Sequence, residues 1–198
     1  MFDGSRGLPI RDGDPHWWHD PVLFERAANA LAARLAQVDP DGAATFRRNA
    51  TRYVARLRSM DDENRRLVSC LPPDDRKLVT NHDAFGYFAR HYGFTIIGSV
   101  IPSLSTASQP SAKQIASLID RIRQQHVRAI FTESSINPGL ERQIADEAGV
   151  TVSASLYGDT LGPAGSSGAT YLSMERWNVR TIVAGLLGHQ PPADGCSS

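Results

Sequence analysis

Cysteine is scarce in this chain, with Cys70 and Cys196 alone among 198 residues. Two are too few for a disulfide framework, and their spacing does not suggest a structural zinc site, so cysteine leaves the redox compartment undecided. Net charge is missing too, because 21 basic residues balance 21 acidic ones. Clustered cations do not go beyond Arg47-Arg48 and Arg65-Arg66, which read as solvated helix faces, so no nucleic acid is expected as a partner. The chain lacks a run of about 18 apolar residues that could span a membrane as a helix. It also lacks a basic segment followed by an apolar one at its start, so no signal peptide is visible. There is no Gly-x-Ser-x-Gly elbow to make a nucleophile of Ser134 or Ser135. The loop at residues 162–168 lacks the Gly-Lys-Ser/Thr ending of a phosphate cradle, and its glycines and serines suit a cover over a cleft.

The length is enough for one domain or slightly more, with a substantial core. After a loop-like start, Leu23, Ala27, Leu31 and Leu35 recur at helical spacing and end at Asp39-Pro40. Phe46, Ala50, Tyr53, Leu57, Met60, Asn64 and Leu67 then step by four and three residues, which predicts one long helix stopped by Pro72-Pro73. Asn64 interrupts this stripe and argues against a coiled coil. From Lys77 onward strands alternate with helices. Strands are expected over 77–82, 94–101, 127–132 and 150–156, and helices over 113–125, 138–148 and 171–187, with Asn137 as N-cap and Pro138 as first residue of the second of these helices. This alternation predicts an α/β fold with a parallel sheet and helices on both faces.

In such a sheet ligands bind at the carboxyl ends of strands. Three strand ends carry His82 with Asp83, Glu133-Ser134-Ser135, and Tyr157-Gly158-Asp159. His82, Glu133 and Asp159, joined by His16, form a nitrogen and oxygen donor set suited to zinc or manganese. Each residue alone also has a structural reading: His82 as a satisfied turn residue, Glu133 as a helix cap, Asp159 as a turn former. His16 lies within Asp14-Pro15-His16-Trp17-Trp18-His19-Asp20-Pro21, where either the histidines bind something or the tryptophans anchor a lobe.

Four ordered motifs resemble the zinc/manganese-binding solute receptors of metal ABC transporters, the cluster A-I type. They are Asp14-Pro-His-x-Trp-x-Asp-Pro21, Thr80-Asn-His-Asp-Ala-Phe-Gly-Tyr-Phe88, Phe131-Thr-Glu-Ser-Ser135, and Tyr157-Gly-Asp-Thr-Leu-Gly162 before Thr170-Tyr-Leu-Ser-Met174. The resemblance implies two α/β lobes joined by a long helix, with the transported Zn2+ or Mn2+ in the cleft between them. It implies a remnant of the first lobe at residues 1–40, the linking helix at 41–71 and the second lobe at 72–198. His16, His82 and Asp159 are then the metal ligands, and Glu133 supports the site by orienting an imidazole. His19 stands where the family usually has an apolar residue; it could serve as an accessory donor, but it is expected to face solvent. The family's fourth ligand is a histidine from strands that precede this sequence, so the resemblance implies a truncated receptor with exposed apolar helix surface and weaker binding. It further implies a monomer that is not an enzyme, located outside the cytoplasm and working with permease subunits.

Two other readings stay open. Three protein ligands with a water would also suit a zinc hydrolase with Glu133 as general base, although no His-Glu-x-x-His motif accompanies them. A chain that binds no ligand and serves as an interaction module would instead keep His16 more than about 10 Å from His82 and Asp159, far beyond coordination distances of ~2.0–2.2 Å.

Overall fold

The computed structural model describes residues 3–10, 13–133 and 138–196. A 3-10 turn, Trp17–His19, leads into α1 (Pro21–Val38) and then α2 (Ala43–Val68). The alternating part follows as β1 (Lys77–His82), α3 (Gly86–Tyr92), β2 (Thr95–Ile101), α4 (Ala112–Gln124), β3 (Ala129–Glu133), α5 (Gly139–Ala148), β4 (Thr151–Leu156) and α6 (Tyr171–Leu187). The strands form one parallel sheet in the order β2-β1-β3-β4, as the alternation predicts. The helix α5 starts one residue later than expected, with Pro138 just ahead of it. Asn137, Ser134 and Ser135 lie outside the described residues.

Period-two alternation sends successive strand residues to opposite faces. Leu78, Ala129 and Phe131 pack with α3, α6 and the end of α2, while Val79 and Ile130 pack with α4 and α5. Local chemistry fixes the helix ends. Asp20 accepts from the backbone N–H groups of Val22 and Leu23, with Pro21 as first residue of α1. Ser111 with Gln114 and Thr170 with Ser173 close reciprocal caps on α4 and α6. Gly93 and Gly149 end α3 and α5 in the left-handed region that a side chain would disfavour.

Along α2 the predicted stripe buries Leu57, Met60, Asn64 and Leu67. Asn64 is tolerated there because its amide donates to the Tyr92 hydroxyl at 3.1 Å. The other end of the stripe is half-buried. Phe46 and Tyr53 line a groove of about 620 Å³ with Trp17, Phe24, Leu31 and Leu35, and α1 leaves Val38 67% exposed. The expected exposed apolar helix surface is therefore present. Among the described residues no helix is long and apolar enough to cross a membrane.

The two cysteines, too few to suggest a disulfide framework from sequence, are joined: Cys70 and Cys196 form a disulfide across 126 residues, with Cα atoms 5.0 Å apart. The C-terminal segment returns to the end of α2, where the Cys196 N–H donates to the Arg66 carbonyl and the Ser69 hydroxyl to the Cys196 carbonyl. This tertiary contact has no local signature.

His91 ties three helices together. Its Nε2 lies 2.7 Å from Asp61 of α2 and its Nδ1 3.2 Å from Asp20, the cap of α1. Burial opposes a charged imidazole there, but hydrogen bonds and charge from Asp20 and Asp61 outweigh it and raise His91 to about 9, despite Arg65 at 2.9 Å. A pKa raised on folding stabilises fully below the unfolded value of ~6.5 and is lost as pH climbs through 9. Urea titrations at pH 6 and pH 9.5 should differ by about 3 kcal/mol more in the wild type than in His91→Gln. Equal differences in both chains would remove His91 as the source.

Candidate metal centre

Three elements deliver donors to one rim of the sheet. β1 ends at His82, β3 ends at Glu133, and the chain leaving β4 passes through Tyr157 and Gly158 to Asp159. His16 arrives from the segment before the 3-10 turn. Although 66 to 143 residues separate it from the others in sequence, its ring lies 5.2 Å from the His82 ring.

His16 Nε2 and His82 Nε2 each lie 3.3 Å from the same oxygen, Oδ1 of Asp159. Two ligands each ~2.0–2.1 Å from a shared ion at the tetrahedral angle stand roughly 3.3 Å apart. Both imidazole nitrogens therefore stand at the distance from the Asp159 oxygen that a shared cation requires. Among the described residues His16, His82 and Asp159 are the group of potential ligands whose donor atoms all lie within 4.8 Å of one another. Nε2 of His82 is fully buried without a hydrogen-bond partner, because its approach to Asp159 lacks hydrogen-bond geometry. A buried polar atom in that condition costs ~1–3 kcal/mol, which a bound cation would offset.

Both imidazoles are held from behind. Glu133 Oε1 lies 2.5 Å from His82 Nδ1 and also accepts from the His82 backbone N–H. Asp14 Oδ1 lies 2.6 Å from His16 Nδ1 and accepts from its backbone N–H at 2.9 Å. Each carboxylate fixes the tautomer so that Nε2 faces the site. Glu133 thus contacts the His82 ring nitrogen opposite the one that approaches Asp159. Asp14 was not assigned a role from sequence, although an acid two residues before a histidine across a proline offers the signal.

Burial pulls the His82 imidazole down in pKa, but the hydrogen bond and charge of Glu133, followed by the charge of Asp159, outweigh it and push it above its ordinary value. The Asp159 side chain is 37% exposed, against 3% for His16 and 0% for His82.

His19 does not face solvent. It is fully buried, stacked on Phe85 with ring centroids 4.6 Å apart, and paired with Glu175. Gly158 packs so closely that a Cβ there would lie 2.5 Å from Glu133 Oε2 and 3.6 Å from the His82 ring. The 162–168 loop closes on the Tyr157 ring, which a Cβ on Gly162 or Gly168 would strike.

Comparison with known proteins gives a consistent result. Residues 3–185 match the family described as ZnuA, zinc-uptake complex component A, periplasmic. The manganese-binding lipoprotein MntA of Bacillus subtilis is 34% identical over 187 residues, covering 90% of this chain and 60% of the relative. The zinc-binding protein TroA of Treponema pallidum is 38% identical over 178 residues, covering 87% and 57%. The chain thus spans about 60% of the length of the curated relatives it matches. The solved structure of the periplasmic zinc-binding protein TroA from Treponema pallidum superposes with a TM-score of 0.81 at 35% identity, over 92% of this chain and 68% of that one. A manganese-bound periplasmic metal-binding protein from Candidatus Liberibacter asiaticus shares the fold with a TM-score of 0.83 at 24% identity, over 92% and 70%.

Proposed function

Because this chain belongs to the ZnuA family of periplasmic zinc-uptake components, we propose that it captures zinc or manganese for transport, with His16, His82 and Asp159 as ligands. The observation that carries this reading is the pair of 3.3 Å separations about one Asp159 oxygen. Glu133 and Asp14 orient the two imidazoles. The ion is cargo, handed to the permease subunits of an ABC transporter by a monomeric receptor outside the cytoplasm. The Cys70–Cys196 disulfide supports that location, since such bonds persist in oxidising compartments. In this reading α2 is the linking helix between residues 1–40, part of a first lobe, and the lobe formed by residues 72–198.

Two imidazoles and a carboxylate suit either ion, and relatives named for each are known. The hydrolase alternative draws less support, because Glu133 is engaged with the imidazole's back face instead of being free to act on water. The interaction-module alternative required distant donors, and these are adjacent. Equilibrium dialysis tests the proposal: the wild type should take up one zinc or manganese ion per chain. Asp159→Ala should take up at least about tenfold less at the same free ion concentration. Equal uptake by both chains would sink it.

A further inference from the structure

The exposed carboxylate of Asp159 sits on a loop, and its precision has to come from whatever holds that loop. Asn178 of α6 grips Tyr157 on both sides, its Oδ1 accepting from the Tyr157 N–H at 2.9 Å and its Nδ2 donating to the Tyr157 carbonyl at 2.9 Å. The next carbonyl, that of Gly158, accepts from Trp18 Nε1 at 3.0 Å and from His19 Nε2 at 3.1 Å. Both donors belong to the 3-10 turn that follows His16. A carbonyl can only accept, so His19 must carry its proton on Nε2. Its Nδ1 then meets Glu175 Oε1 at 2.9 Å in a pair that is wholly buried. Neither residue has an assigned role in the proposed site, and a buried pair of this kind needs a reason, since matched apolar side chains are often as stable.

We propose that His19, backed by Glu175, is a positioning residue: by holding the Gly158 carbonyl it fixes the Asp159 carboxylate against the two imidazoles. The inference rests on the metal reading above. Asp159 adjoins Gly158, and without His19 the carbonyl keeps Trp18 Nε1 as its remaining donor, so the carboxylate is held less firmly to the segment that also carries His16. The pair therefore couples a ligand on the 3-10 side to a ligand on the sheet side. Burial pushes the Glu175 carboxyl up in pKa, opposed by His19, and in either protonation state one proton lies between the two groups. Glu175→Gln retains a donor toward Nδ1 and so keeps Nε2 protonated toward Gly158.

Cobalt(II) titration of the whole chain tests this, because its visible absorption reports ligand geometry. Zinc competition against a chromophoric chelator gives affinity in parallel. His19→Leu should bind zinc roughly ten- to hundredfold more weakly, the range for partners that orient ligands, with an altered cobalt spectrum. Glu175→Gln should keep the wild-type spectrum. Wild-type affinity and spectrum in His19→Leu would overturn the proposal. Should His19→Leu not fold, the unaltered protein still decides: the His19 Nε2–H resonance should exchange slowly with water and move on zinc addition. A rapidly exchanging or unmoved resonance overturns the proposal. A wild-type chain that takes up no cobalt or zinc fails both readings, whereas a binding wild type beside an indifferent His19→Leu fails this one alone.

Discussion

His82→Ala should abolish measurable zinc binding at concentrations that saturate the wild type, a loss of more than about a hundredfold. That figure is the upper end for residues that merely orient a ligand, and His82 is proposed as a ligand itself. The substitution removes one of three donors and also strands Glu133, whose Oε1 then loses the imidazole and keeps only the backbone N–H of residue 82 at 3.3 Å. An uncompensated buried carboxylate costs ~3–5 kcal/mol, so His82→Ala should melt earlier as well. His82→Gln separates the effects, since its amide can donate toward Glu133 while supplying a poor ligand. Isothermal titration with zinc, beside a melting curve of each chain, checks the prediction. If His82→Gln bound zinc like the wild type, His82 would not be a ligand.

Reducing the Cys70–Cys196 bond should lower stability by up to about 5 kcal/mol, the chain-entropy value for closing a loop of 126 residues. This is comparable with the ~5–15 kcal/mol that holds a whole domain folded. The bond ties the end of α2 to a segment that otherwise depends on a few hydrogen bonds, among them Ser69 to Cys196 and Arg180 to the Ala193 carbonyl. A Cys70→Ser, Cys196→Ser double variant should match the reduced wild type in urea, with a midpoint well below that of the oxidised chain. Coincident transitions for the oxidised and reduced chains would show that the bond does not contribute to stability.

What could be read from sequence was what local patterns encode. The apolar run that breaks at His82 placed that residue at a strand end, because a buried parallel strand must be apolar until it reaches the rim. The limits of α6 coincide with those read from its spacing, since Thr170 and Ser173 mark its start. His16, His82 and Asp159 were nominated from motif and strand order, and the fold brings them together. The failures share one cause: they concern partners remote in sequence. His19 read as a surface residue because nothing near it announces Glu175, 156 residues later. The cysteines left the redox compartment undecided, because nothing local announces a pairing across 126 residues. Asn64 read as a flaw in its stripe until Tyr92 supplied a partner from another helix.

The unequal exposure of the three donors bears on kinetics. Two imidazoles lie sealed inside while the carboxylate reaches water, so an ion held there would have Asp159 as its doorway. Under the proposed function, the carboxylate is then the donor that an arriving ion meets first and a departing ion leaves last.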